Sequence, residues 1–281
     1  MDFRENTIES LESSNLDDLY PSTRTPSSSS HSILSRQIRQ AVNRPALRAA
    51  DISAEPTNLI LDSMPVDMKR ILAPSLKPVM LTKEQFIYQE DDRLDYVYFP
   101  TTAVISEFKM LEDGRMVEIA VMGREGAVGL SSIFSDTHLA PNCTQVSQAG
   151  MAMRLDAATF EKLLRSNEGL RDGLNRFVNL YIKQISQKAI CNMYHSVKER
   201  LCTWLLMLQD RCGRSTLNLT HEQIARTLGV YRPSITCIAQ ELRDMKLINY
   251  SRGGISISNR RKVEQSACTC YLELGSGVPA M

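Results

Sequence analysis

The sequence has no long hydrophobic run. None of its apolar stretches approaches the roughly 20 residues that a helix needs to cross a bilayer. The first ten residues, MDFRENTIES, are acidic and lack the basic and then apolar order of a secretory signal. We therefore expect neither a membrane protein nor a secreted one, and we predict a cytoplasmic location.

Patterned cysteine and histidine are also scarce. The seven cysteines are an odd number without a CxxC pair, which argues against a disulfide framework. None of the four histidines stands at ligand spacing from another, and the single CxC, Cys268 with Cys270, offers too few ligands for a tetrahedral metal site. We expect most cysteines to be small buried residues, and we predict no metal and no cofactor.

Residue patterns typical of enzymes are missing as well. The chain shows no Ser/His/Asp or Cys/His arrangement, no phosphate-binding glycine loop and no convincing pair of carboxylates. An enzyme that uses a cysteine or histidine nucleophile is the competing hypothesis, and nothing in the sequence supports it. We predict that the protein is not an enzyme.

Charge is distributed unevenly, although the formal net charge of the 281 residues is only +1. Residues 196–281 carry 12 Lys/Arg against 7 Asp/Glu, whereas residues 1–195 carry 21 against 25. An excess of positive charge in one part of a chain is what contact with nucleic-acid phosphates requires. The C-terminal third is therefore the candidate for such contact.

Residues 1–55 are predicted to be a disordered tail. The stretch PSTRTPSSSSHS has almost no apolar content, so it cannot bury enough surface to offset the entropy of ordering. Residues 21–50 hold five arginines and no acid, which is compatible with a basic arm on DNA. A solvated linker is the alternative that the composition favours.

Residues 76–155 change to a period of two, with short β-branched runs such as TAVISEFKM and RMVEIAVM. Asp113-Gly114 between two runs is a hairpin signal. Several short strands predict a small β-sandwich or barrel. Flanking helices are predicted over residues 58–73 and 157–165, the second with Asp156 as its N-cap.

A long helical tract follows, from about residue 167 to residue 210. Its apolar residues repeat at three and four positions, as a heptad stripe does. The stripe either packs on the β-rich domain or faces a second copy of the chain in a dimer. We assign it to a dimer interface, formed by Leu170, Leu174, Phe177, Tyr181 and Ile185.

Two short helices separated by a tight turn are predicted in LTHEQIARTLGVYRPSITCIAQEL. Thr220 with Gln223 forms a capping box for the first helix. Gly229 ends that helix, and Pro233, whose missing N–H does no harm at a helix start, opens the second. Two β-rich arms around residues 252–254 complete the pattern of a winged helix-turn-helix, which predicts DNA binding.

The stretches DYVYFP, EDGRMVEIAVMGREGAVG, KERLCTWLLML and LTHEQIARTLGVYRPSIT resemble the Crp/Fnr superfamily of bacterial transcription regulators, over about residues 57–275. The resemblance implies an α+β protein with a jelly-roll-like double-stranded β-helix as sensor domain, a long dimerisation helix and a C-terminal winged helix-turn-helix. The predicted domains are the tail 1–55, the β-roll domain 56–166, the dimerisation helix 167–195, the DNA-binding domain 196–275 and a tail 276–281.

The second helix of the motif is the predicted reading helix. Ile235, Ile238 and Leu242 repeat on its buried face, so the opposite face is left for DNA. Arg232 has the fork geometry that guanine requires. The predicted DNA-binding residues are Thr220, Arg232, Pro233, Ser234, Thr236, Cys237, Gln240 and Arg252.

The resemblance also shows two departures. Well-known members of the superfamily place an acidic residue directly after the reading arginine and another arginine further on, whereas this chain has Pro233 and Cys237. Its operator is therefore expected to differ from theirs. Members that bind cyclic nucleotides carry a Gly-Glu pair and a phosphate-binding arginine, and the corresponding, degenerate cassette here is Gly126, Ala127, Asn142 and Cys143.

Neither Ala127 nor Asn142 supplies the chemistry that a cyclic nucleotide needs. Arg124 and Glu125 are shifted substitutes only if the loop register slips. His138 with Cys143 is the remaining pair of candidate ligands in that loop. We predict a homodimeric regulator of double-stranded DNA that does not bind cyclic AMP, with an unknown effector and with RNA polymerase as a candidate partner; the alternative is a cyclic-nucleotide-gated regulator.

Overall fold

The computed structural model describes residues 57–131, 137–251 and 253–274. Both predicted tails, residues 1–55 and 276–281, lie outside the described residues, and so does Arg252. Among the helices that are described, none is both long and apolar enough to cross a membrane.

The β-roll domain consists of two antiparallel sheets. The strands are β1 Lys77–Leu81, β2 Phe86–Tyr88, β3 Tyr96–Pro100, β4 Val104–Met110, β5 Met116–Met122, β6 Cys143–Gln148 and β7 Gly150–Asp156. One sheet has the strand order β1-β7-β3, and the other has the order β2-β6-β4-β5. Gly114, with φ of 79°, lies in the turn between β4 and β5 and confirms the predicted hairpin.

The core of this domain is built by the inward-facing side chains of its strands. Val97 and Phe99 in β3 are fully buried, two positions apart, because alternate residues of a strand share one face. The Phe99 ring meets the Phe160 ring edge to face, with centroids 5.6 Å apart. Phe160 belongs to the helix α3 Ala157–Ser166, which Asp156 caps as predicted by accepting a hydrogen bond from the Thr159 amide.

The predicted helix over residues 58–73 is instead two short helices, α1 Leu59–Asp62 and α2 Val66–Leu72. Pro65 is the N-cap residue of α2, and it lies between them. A proline interrupts a helix because it lacks the N–H and its ring excludes the preceding turn. Asn58 anchors α1 by capping it and by donating to the carbonyl oxygens of Pro100 and Gly126.

The long helix α4 Glu168–Tyr194 corrects the predicted dimer interface. Leu170, Leu174 and Phe177 are buried in the core of the β-roll domain of their own chain, so they cannot face a second copy. Tyr181 is half-buried against the same core. The heptad spacing indicates one apolar face, and the helix has such a face, but periodicity does not specify which surface covers it.

The C-terminal domain follows after a break at His195 and Ser196. Its elements are α5 Val197–Cys212, β8 Thr216–Asn218, α6 His221–Leu228, α7 Arg232–Asp244, β9 Ile248–Ser251, β10 Gly254–Ile257, α8 Arg260–Ser266 and α9 Cys270–Glu273. Ser196 forms a capping box with Glu199 at the start of α5, and Gly213 ends α5 in the left-handed conformation, with φ of 63°. The three strands form a sheet with the order β8-β10-β9.

Candidate nucleic-acid interface and ligand cassette

The helix pair α6 and α7 is held by local capping. The Thr220 hydroxyl accepts from the Gln223 amide, and the Gln223 side chain accepts from the Thr220 amide, which confirms the predicted capping box. Gly229 takes the left-handed conformation, with φ of 63°. The second helix begins one residue earlier than predicted, at Arg232, with Tyr231 as its N-cap residue.

One face of α7 is core and the other is open. Ile235, Ala239 and Leu242 are buried, and Ile238 is half-buried against them. The residues predicted to meet DNA on this helix are all exposed on the opposite side: Arg232, Pro233, Ser234, Thr236, Cys237 and Gln240. This placement leaves them accessible to a duplex, and their contact with bases stays a prediction.

His221 is a residue of this surface that the sequence interpretation missed. Its ring stacks on Tyr250 of β9 with centroids 4.6 Å apart, and its Nδ1 lies 3.1 Å from the Thr236 hydroxyl. Burial, and secondarily the charge of Arg232, lower the pKa of His221. His221 therefore joins the start of α6, the reading helix and the wing. In the sequence, the only indication of this role is that His221 directly follows the N-cap residue Thr220.

Gln240 is less free than its exposure suggests. Its amide nitrogen donates to both carboxylate oxygens of Asp244, at 2.9 and 3.0 Å, and its oxygen accepts from Arg243 at 2.6 Å. A base or phosphate must replace these hydrogen bonds before it can be read. The N-terminal half of α7 is therefore better prepared for recognition than Gln240.

The predicted wing is a hairpin of β9 and β10, in which Ile255 pairs with Tyr250. Gly253, with φ of 75°, lies in its turn. Arg252, the predicted phosphate contact at the tip, is outside the described residues.

In the β-roll domain, the cassette position Asn142 faces a carboxylate. Its amide donates to Glu107 Oε1 at 2.7 Å, and the Tyr181 hydroxyl donates to Glu107 Oε2 at 2.6 Å. Glu107 is only 9% exposed, and burial raises its pKa. A carboxyl group at the place where a phosphate would be expected opposes an anionic ligand when it is ionised.

The other residues of the cassette region are packed against, or paired with, residues of the same chain. Ala127 is buried, and a Cβ at Gly126 would come within 2.9 Å of the Phe177 ring. Glu125, the shifted substitute for a ribose ligand, forms a buried ion pair with Arg211 of α5 at 2.6 Å. It is therefore not free to bind a ribose hydroxyl.

Cys143 and His138, the remaining candidate ligands in the cassette loop, differ in their exposure to solvent. Cys143 is buried in a small apolar cluster with Phe108 and Met116, whereas His138 is exposed. These surroundings give Cys143 a packing role.

Contacts join the β-roll domain to the helix-turn-helix. Lys83 donates to the Gln223 side-chain oxygen at 2.9 Å, and Gln223 donates to Glu84. Deeper inside, Glu118 accepts from Lys188 at 3.0 Å and from the Trp204 indole at 3.2 Å. Direct hydrogen bonds therefore join the β-roll domain to the start of α6.

Two family models match the chain in the regions just described. The family described as "Crp-like helix-turn-helix domain" matches residues 199–266, and "Cyclic nucleotide-binding domain" matches residues 78–167. The first contains the helix pair and the wing, and the second contains both sheets of the β-roll domain.

A curated relative and two solved structures each cover more than two thirds of the chain. The "Anaerobic regulatory protein" of Bacillus subtilis (strain 168) is 21% identical over 233 residues, which are 79% of this chain and 97% of the relative. The structure of FixK2 from Bradyrhizobium japonicum is 17% identical, covers 69% of this chain and 98% of its own, and has a TM-score of 0.59. A putative transcriptional regulator of the Crp/Fnr family from Eubacterium rectale is also 17% identical, with coverages of 73% and 96% and a TM-score of 0.59.

Proposed function

We propose that this chain, a Crp/Fnr-type transcription regulator with a cyclic nucleotide-binding domain and a Crp-like helix-turn-helix domain, binds a pseudo-palindromic DNA site as a homodimer. The single observation that carries the proposal is the exposed N-terminal half of α7. In a helix-turn-helix this part of the second helix enters the major groove.

Arg232 is the principal reader in this proposal. It is exposed at the start of α7. Its guanidinium can donate two hydrogen bonds at once, to guanine O6 and N7. Ser234 and Thr236 add hydroxyl contacts to bases or phosphates. Pro233 and Cys237 add shape and apolar contact, so the site read by this chain depends on few hydrogen bonds.

A second face of α4 supports the homodimer. It carries apolar side chains that are open to solvent: Ile182 is 55% exposed, Ile190 48% and Met193 75%. Ile182, Ile185 and Ala189 repeat at three and four residues along it, as the a and d positions of a coiled coil do. We assign the dimer contact to this face, which keeps Ile185 from the predicted set and replaces the residues buried in the core.

The β-roll domain is proposed to respond to something other than cyclic AMP or cyclic GMP. At the position of the phosphate-binding arginine stands Asn142, which donates to the Glu107 carboxylate, and Glu125 is paired with Arg211. Calorimetry of the purified chain with both nucleotides should show no heat of binding. Saturable heat at micromolar nucleotide would contradict this assignment and would favour a cyclic-nucleotide-gated regulator.

Binding-site selection from a random duplex library tests the DNA-binding proposal. The expected result is an inverted repeat with half-sites about 10 base pairs apart, centre to centre, because a two-fold dimer presents its reading helices one helical turn apart. Enrichment of single half-sites would contradict the dimer. Absence of any enriched sequence would contradict specific recognition.

A further inference from the structure

Four side chains from distant parts of the sequence meet beside the end of the long helix. They are Cys191, His195, Cys268 and Cys270, and one ligand atom of each lies within 4.8 Å of those of the other three. The Cys191 and Cys268 sulfurs are 3.5 Å apart, and the Cys270 sulfur is 3.3 Å from His195 Nδ1. The three cysteines are free thiols, and all three are buried.

The fold explains why these residues meet. Cys191 lies in the last turn of α4, and His195 is the C-cap residue of that helix, whose amide donates to the Cys191 carbonyl oxygen. Cys268 lies between α8 and α9, and Cys270 is the first residue of α9. The C-terminal segment thus returns to the joint between α4 and α5.

We propose that these four residues form a tetrahedral binding site for a single Zn²⁺ ion. Three thiolates and one imidazole are a ligand set that zinc takes in structural sites. Zinc–sulfur bonds of about 2.3 Å in tetrahedral geometry hold the sulfurs roughly 3.8 Å apart. The 3.5 Å between the Cys191 and Cys268 sulfurs is close to that spacing, and all four ligand atoms lie within 4.8 Å of one another. A cluster of several irons would need its thiolates further apart, because each binds a different iron atom.

The surroundings of the sulfurs suit a metal–thiolate centre. The Gln187 amide donates to the Cys270 sulfur at 3.0 Å, and the Thr203 hydroxyl lies 3.0 Å from the Cys268 sulfur. Polar partners of this kind orient metal ligands. Zn²⁺ with three thiolates carries a net charge of −1, and the Arg200 guanidinium lies close enough to Cys191 and Cys268 to interact with their charge.

The ion would join two parts of the chain. Cys191 and His195 come from the end of α4, and Cys268 and Cys270 come from the segment around α9. Because α4 leads into the DNA-binding domain at this joint, the bound ion fixes how the C-terminal segment packs on it. The site is separate from the reading helix and does not depend on the proposed DNA contact.

The test is metal analysis of the purified full-length chain, followed by replacement of the metal with Co²⁺. We expect one zinc per chain. The cobalt form should show thiolate-to-cobalt charge transfer in the near ultraviolet and the visible bands of tetrahedral Co²⁺. Cys268→Ser and Cys270→Ser should abolish this spectrum. The matched control Cys212→Ser, a half-buried cysteine outside the cluster, should keep it.

His195 keeps the test decisive if a cysteine variant fails to fold, because His195 is half-exposed. His195→Ala should weaken Co²⁺ affinity by more than the roughly 10- to 100-fold expected for a polar partner such as Gln187 in Gln187→Ala. His195→Cys should retain a tetrahedral spectrum with a fourth thiolate. The proposal is wrong if the chain holds well below one ion, if a Cys191–Cys268 disulfide is found by mass, or if iron and inorganic sulfide are present instead.

Discussion

Arg232 carries most of the sequence discrimination that we assign to single residues. Its guanidinium is exposed at the first position of α7, where the helix can enter the major groove. Arg232→Ala should remove about 1–3 kcal/mol of preference at one base pair of each half-site. Fluorescence anisotropy with duplexes changed at each position measures this loss.

The matched control for charge is Arg165→Ala, an exposed arginine of α3 that pairs with Glu161 in the same helix. It should leave the preference at every base pair unchanged. If Arg232→Ala weakens binding to all duplexes equally, Arg232 contacts phosphate and the assignment is wrong.

His221 should make the stability of the C-terminal domain depend on pH. Its pKa is lowered below the ordinary value of 6.5 by burial and by Arg232, so the folded state binds the proton less readily than the unfolded chain does. The stabilising effect is therefore present above the unfolded pKa and is lost as pH falls through the folded pKa. Thermal unfolding should show a fall in melting temperature between about pH 7 and pH 5.

His221→Asn should flatten this pH dependence, while the exposed His138→Asn should leave it in place. An identical pH profile in wild type and His221→Asn would show that other groups cause the loss of stability.

Single-residue roles could be predicted from the sequence where the interacting residues are close together in the chain. The capping box of Thr220 and Gln223, the cap Asp156 and the turn at Gly229 all depend on neighbours within a few positions. The ring stack of His221 on Tyr250 joins residues far apart in the chain, and no local pattern predicts it.

The proposed dimer depends on the helix α4, which has two apolar faces. Ile182→Glu places a charge on the exposed face that we assign to the dimer. The variant should be monomeric at micromolar concentration, because a charge buried without a partner in an apolar interface is unfavourable. Analytical ultracentrifugation measures the change.

Leu180→Glu is the matched control, since Leu180 is 41% exposed and points away from Ile182 around the helix. It should sediment as the wild-type dimer does. A dimeric Ile182→Glu chain would contradict the interface assigned here.

For the buried face of the same helix we predict a loss of stability and no change in the oligomeric state. Leu174 is 1% exposed in the core of the β-roll domain, so Leu174→Ala should lower the free energy of unfolding by about 2–5 kcal/mol through the cavity it leaves. Chemical denaturation measures this cost. If Leu174→Ala lowered the free energy of unfolding only slightly but abolished the dimer, the interface first predicted from the heptad spacing would be supported instead.

The two faces show why an element is easier to predict than its partner. The periodicity of Leu170, Leu174 and Phe177 was sufficient to predict a helix with one buried side. It could not distinguish a β-sheet of the same chain from a second copy, because both offer an apolar surface. Pro65, which divides the predicted first helix, is by contrast visible in the sequence, because a proline interrupts a helix.

For the whole molecule, Glu118 joins the β-roll domain to the long helix and to α5. It is 1% exposed and accepts from Ser106, Lys188 and Trp204. Glu118→Ala should destabilise the chain by about 3–5 kcal/mol, because Lys188 loses its charge partner in a largely buried site. Calorimetry should then show two separated transitions, one for each domain.

Glu118→Gln keeps the side-chain volume and one acceptor, so it should cost less and keep the transitions closer together. A single unchanged transition in Glu118→Ala would mean that the domains are not coupled through this group.

The order of the domains was predictable from the whole sequence, because strands, long helix and helix-turn-helix each have their own periodicity. The meeting of Cys191 with Cys268 and Cys270 was not, since it depends on how the C-terminal segment folds back on α4. Spacing along the chain therefore led to the expectation of no metal site.

The most direct test of the central claim is a titration of the selected inverted repeat with the purified chain, at fixed salt, beside a scrambled duplex of equal length. Two chains should bind per duplex, with an affinity at least about 10³-fold above that for the scrambled duplex. One chain per duplex, or equal affinity for the two sequences, would contradict a homodimeric, sequence-specific regulator.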